Sequence, residues 1–92
     1  MLHIADFLGI GPDKAWTARS MAEFFGTSYR RITRAIEQER RNGAPICAKS
    51  EGETRGFYLA ADEDELRQYC RRLRRREAEI RKTRQALEKI IM

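Results

Sequence analysis

From Asp62 to about Ile90 the chain runs without a glycine or a proline. Such a stretch reads as a single helix, and at 1.5 Å per residue it spans roughly 40 Å. That exceeds the diameter of any compact body the preceding residues can build. The chain therefore divides into a small globular part, residues 1–61, and a long basic C-terminal helix, residues 62–92. Asp62 with Glu65 three residues on resembles a capping box with Asp in place of Ser or Thr. The four acids Asp62-Glu63-Asp64-Glu65 suit the positive end of the helix dipole. With 92 residues in all, the buried core is limited and a large enzyme fold is excluded.

Charge is placed unevenly. Residues 1–61 carry nine basic and seven acidic groups, and residues 66–92 carry ten basic against three acidic. The whole chain has a formal charge of +5 and a pI near 9.7, a balance that suits a nucleic-acid partner. Cys47 and Cys70, two isolated cysteines in a chain that is 41% hydrophobic, do not make a disulfide framework and read as free thiols in a reducing, cytoplasmic compartment. His3 has no Cys or His at ligand spacing, so no metal site is expected. The first residues lack a basic segment followed by an apolar one, which argues against a signal peptide. No stretch is apolar for long enough to span a membrane.

Within residues 1–61, punctuation falls at Gly9 to Pro12, Gly26, Asn42 to Pro45, and Gly52 to Gly56. Residues 2–9 place Ile4, Phe7 and Leu8 on one face of a short first helix. A loop follows through Pro12, and Trp16 is expected in a brief extended stretch. Thr17 is positioned to cap a second helix, with Met21, Ala22 and Phe25 as its apolar stripe and Gly26 at its end. Ser28 caps a third helix, residues 28–42. Ile32, Ala35 and Ile36 share its inner face, while Arg30, Arg34, Glu37 and Arg41 lie opposite. The runs 45–49 and 56–60 flank a Gly-containing loop and read as a hairpin. Phe57 and Leu59 alternate with Tyr58, so one face of the hairpin should be buried.

The order helix, Gly turn, helix, hairpin, long helix gives the expected fold class: mainly α with a small β-hairpin. The segments Met21-Ala22-Glu23-Phe24-Phe25-Gly26-Thr27-Ser28, Asn42-Gly43-Ala44-Pro45-Ile46 and Gly56-Phe57-Tyr58-Leu59 carry a resemblance. Together they resemble winged helix-turn-helix DNA-binding domains, and are similar to the N-terminal domain of the biotin operon repressor and to small bacterial and phage regulators. The resemblance spans about half the chain. It implies double-stranded DNA binding, with helix 28–42 reading the major groove in a small bacterial or phage (or prophage) transcriptional regulator. Arg30 and Arg34 then reach base edges, Ser28, Tyr29 and Thr33 reach bases or phosphates, and Arg31 and Arg41 meet the flanking backbone. Lys49 and Arg55 are the cations of the wing, whose tip also carries the acids Glu51 and Glu53.

The sequence departs from the family pattern at Glu39, where an apolar residue is usual, and at Asn42, where Leu is common. Either the helix end packs loosely or Glu39 meets an arginine. Phe24 faces away from the Met21–Phe25 stripe, as an exposed apolar residue or a partner contact.

Leu66, Leu73, Ile80 and Leu87 recur every seven residues, the period of a coiled coil. Leu66, Tyr69, Cys70 and Leu73 are expected to pack on the first helix. Ile80, Leu87, Ile90 and Ile91 project beyond it toward a second copy, forming a homodimer through residues 66–92. Glu77 and Arg84 can pair across an antiparallel seam. The run Arg71 to Arg76 is a solvated face or a second phosphate-binding patch. The alternative reading of the whole chain is a non-enzymatic assembly module built on the winged helix and the C-terminal helix. No Gly-rich phosphate loop, metal spacing or nucleophile–base pair is present. The chain is therefore read as no enzyme, with no catalytic residue, cofactor or small-molecule ligand.

Overall fold

Gly26 adopts φ +64° and ends helix α1 (Ala18–Phe25) in the left-handed conformation that lets the chain turn at once. The computed structural model describes residues 3–91. Met1, Met92 and Leu2, the first residue of the expected 2–9 helix, lie outside the described residues. Helix α2 (Tyr29–Arg41) follows the turn, then strands β1 (Ile46–Lys49) and β2 (Gly56–Leu59), then helix α3 (Glu63–Ile91). The molecule is mainly helical, with a single antiparallel hairpin among the described residues. Its longest dimension, 47 Å, is set by α3.

The caps are local and match the residue types. Thr17 Oγ1 accepts from the Ser20 N–H at 3.1 Å. Ser28 Oγ accepts from the Arg31 N–H at 3.2 Å. At α3, Asp62 Oδ1 accepts from the Glu65 N–H at 2.9 Å, and Glu65 Oε1 accepts from the Ala61 N–H at 3.0 Å. The reciprocal pair is the expected capping box, reaching back one residue further than usual.

Ile4, Leu8, Ala18, Met21, Ala22, Ile32, Ile36 and Ile46 form the main core, where the α1 and α2 stripes meet. The amino-terminal segment is not the α-helix that residues 2–9 suggest. It is one 3-10 turn, Ile4–Asp6, that docks on α2, with Ile4 and Leu8 buried and Phe7 exposed. Its anchor is Glu39. The Ile4 and Ala5 N–H groups each donate to its carboxylate at 2.7 Å. The polar residue at an inner helix position thus neither packs loosely nor meets an arginine. It satisfies two backbone donors at a helix start that has no side-chain cap of its own. Phe24 is 68% exposed but is not isolated, because its ring meets Trp16 and Phe25 edge-on at 5.4 and 5.0 Å.

The hairpin pairs Cys47 with Tyr58 and Ala48 with Phe57. Its outer β2 edge is covered by the chain that precedes α1. Trp16 and Phe57 exchange two backbone hydrogen bonds of 2.9 Å, and Leu59 bonds Gly9 and Gly11. Both hairpin faces are packed, not one. Phe57 and Leu59 lie against the main core, while Tyr58 joins Cys47 and Tyr69 in a second cluster flanked by Leu66. That second cluster receives α3. Leu66 and Tyr69 therefore dock on the hairpin instead of on the first helix, Cys70 and Leu73 are exposed, and every described residue of α3 beyond Tyr69 is exposed.

Candidate nucleic-acid interface

Two side chains close the open edge of β1. Arg40 Nε donates to the Ile46 carbonyl at 2.9 Å, and Arg72 Nη2 reaches the Ala48 carbonyl at 3.4 Å. Unpaired strand edges invite pairing with other chains, and charged side chains blunt them. Arg40 also donates to the Tyr69 hydroxyl and to Glu37, both at 3.0 Å, and its guanidinium lies over the Phe57 and Tyr69 rings. This arginine holds α2, both strands and α3 together, and sequence reasoning assigned it no role. Only the Glu37 pairing, three residues away, is visible in the sequence.

The pairing of Glu37 with Arg40 decides what remains on the outer face of α2. Among the described residues Arg30, Arg31, Arg34 and Arg41 enter no ion pair, and all four are exposed. Arg30 and Arg34 stand one turn apart on the solvent face. Arg31 points to the flank about 160° round the helix from Tyr29. Arg41, the last residue of α2, lies roughly 16 Å along the axis from Arg30. Ser28 and Thr33 spend their oxygens locally, Ser28 as cap and Thr33 by donating to the Arg30 carbonyl at 3.0 Å.

Tyr29 sits where two grooves adjoin. One, of about 560 Å³, runs between the start of α1 and the hairpin and is lined by Thr17, Arg19, Tyr29, Lys49 and Arg55. The other, of about 610 Å³, runs between the hairpin and α3 and is lined by Tyr29, Lys49, Ser50, Arg72 and Arg76. Tyr29, Lys49, Gly56 and Phe57 belong to both, and neither is lined by a carboxylate. The fold thus brings Tyr29, Lys49 and Arg55 together, sets Arg30 and Arg34 on the adjacent face of α2, and leaves Arg31 and Arg41 apart. Arg19, which the sequence did not single out, joins the group, as do Arg72 and Arg76 from the run read as a solvated face or a second phosphate-binding patch. Lys49 is oriented by donating to Thr54 Oγ1 at 3.2 Å, while Glu51 and Glu53 stay exposed in the hairpin loop. Burial, and to a lesser degree the Glu65 carboxylate, pushes the Cys47 thiol up from its ordinary 9.0.

On the distal half of α3, Ile80, Thr83, Leu87 and Ile91 line a shallow apolar strip rimmed by Arg76, Glu79, Arg84 and Glu88. Ile90 and Ile91 are 80% and 85% exposed. Glu77 lies 3.9 Å from Arg81, and Arg84 is bonded to Glu88. No described helix is long and apolar enough to cross a membrane. No group of three metal-ligating side chains occurs among the described residues.

Comparison with models of known protein families, with curated proteins and with solved structures finds no match to this chain.

Proposed function

We propose that the chain is a double-stranded DNA-binding protein of the winged helix-turn-helix kind, acting in the cytoplasm as a small bacterial or phage transcriptional regulator. In this reading α2 enters the major groove and the hairpin is the wing. One observation carries it: Glu37 is taken by Arg40, so among the described residues Arg30 and Arg34 have no ion-pair partner on the exposed face of a helix that directly follows a glycine turn. The bland account of that face, a set of internal ion pairs, loses its only acid. A major groove admits one helix, and an arginine fork matches the guanine O6/N7 edge. Tyr29 at the start of that helix, with Lys49, Arg55 and Arg19 beside it, supplies phosphate contacts, which set register and affinity. The reading involves no catalysis, cofactor or metal.

A second copy completes the assembly through Ile80, Leu87, Ile90 and Ile91. A two-fold dimer sets two α2 helices on half-sites about one turn of DNA apart. The test is fluorescence anisotropy of a mixed-sequence duplex at several salt concentrations. Binding should weaken steeply with salt, and Arg30→Ala with Arg34→Ala should weaken it at least about tenfold. Unchanged binding by that double variant overturns the reading. Wild-type protein that ignores duplex at low salt would favour the alternative, an assembly module working through the apolar strip of α3, which the exposure of Ile90 and Ile91 supports.

A further inference from the structure

We propose that the proximal part of α3 belongs to the nucleic-acid surface, with Arg76 gripping the phosphate backbone of the same duplex that α2 reads. The proposal rests on the DNA-binding reading above and adds an element to it. Helix α3 runs beside β1 toward the hairpin loop. Tyr69 packs with Cys47, Arg72 meets Ala48 one turn later, and Arg76 lines the groove with Lys49 and Ser50 one turn after that. The helix therefore leaves the body past the hairpin loop, on the side where Tyr29 of α2 is exposed.

The arginine-rich run sorts only in part by position. Arg72 and Arg76 line the groove that holds Tyr29, which has no carboxylate in its lining. Arg72 also lines a second groove with Lys49, Glu65, Arg71 and Arg75, and Arg74 groups with Arg67, Cys70 and Arg71. Arg76 is the one arginine of the run that lines the Tyr29 groove and neither of these two. Arg72 is held in place by the Ala48 carbonyl and by stacking 5.3 Å over the Tyr69 ring, so its loss would also uncover the β1 edge. Arg76 is exposed and makes no ion pair among the described residues. It also rims the distal apolar strip beside Glu79, so Arg76→Ala is read only if it sediments as wild type does.

A solvated face and a phosphate clip differ in one respect. Net charge acts wherever it sits, whereas a clip acts only at its own position. Arg76→Ala and Arg74→Ala remove the same charge from the same helix. Their affinities for a mixed-sequence duplex are measured against salt, beside wild type, Arg76→Lys and the Arg30/Arg34 double alanine variant. Arg76→Ala should bind about three- to tenfold more weakly at 0.1 M salt and lose close to 0.9 from the salt slope, the value of one phosphate contact. Arg74→Ala should keep the wild-type slope, and Arg76→Lys should retain it too. If Arg76→Ala and Arg74→Ala behave alike while the α2 variant loses binding, this proposal fails and the DNA-binding reading stands. If wild type does not bind duplex, both fail.

Discussion

Glu39 and Cys47 are single residues whose surroundings reverse what their type suggests. Glu39 occupies an inner helix position yet acts as the cap of a segment 35 residues away, with both carboxylate oxygens engaged. Replacing it with alanine strands two part-buried N–H groups. Hydrogen bonds to a charged acceptor are worth about 1.5–3 kcal/mol each, discounted here because the site is only half-buried. Glu39→Ala should therefore cost about 2 kcal/mol in denaturant melts and speed amide exchange at Ile4 and Ala5; protection left intact there would contradict the assignment. Cys47 is buried and Cys70 exposed. Alkylation of the native protein should add one label, at Cys70, with the second appearing only in denaturant. The sign for Cys47 follows from its raised pKa. The folded state holds the thiol proton more tightly, so the stabilisation is complete below pH 9.0 and is lost as pH rises above it. Denaturation midpoints should fall more between pH 8 and 10.5 in wild type than in Cys47→Ala; equal falls would refute it.

At the scale of elements, two glycines separate strain from sterics. Gly26 has φ +64° with open space where a Cβ would sit, so Gly26→Ala should cost only the left-handed penalty, about 1–2 kcal/mol. Gly56 has φ +131°, and a Cβ there would stand 2.5 Å from the Trp16 carbonyl carbon, in the backbone ladder that covers β2. Gly56→Ala should cost more than Gly26→Ala in thermal melts, because the neighbour is backbone and cannot swing aside. Helix α3 poses a different question. Its residues beyond Tyr69 are all exposed, so this part of the helix gains nothing from packing on the body, the usual source of helical stability in proteins. The proposed pairing with a second copy would cover the strip of Ile80, Leu87 and Ile91. Helicity at 222 nm should rise with protein concentration, and Ile80→Asp with Leu87→Asp should abolish the rise and sediment as a monomer. A wild-type signal independent of concentration would rule pairing out.

At the scale of the whole molecule, the basic excess of residues 66–92 is carried on a helix that docks on the same hairpin as the main core, and Arg72 and Arg76 share a groove with Tyr29 of α2. Much of this is legible in residue order. The caps at Thr17, Ser28 and Asp62, the turn at Gly26, the inner stripe of Ile32 and Ile36, the exposed Arg30 and Arg34, and the unbroken helix after Asp62 all follow from relations within about four residues. Backbone hydrogen bonding and helical periodicity act over that range, so sequence alone determines them. Tertiary structure decided the rest. Glu39 finds the first turn, Arg40 finds Tyr69, Arg72 finds Ala48, and α3 docks on the hairpin and not on the amino-terminal segment. These contacts join residues 24 to 35 positions apart. Which charge meets which carbonyl at such separations depends on how the packed elements are oriented, and that is set only when the two cores form.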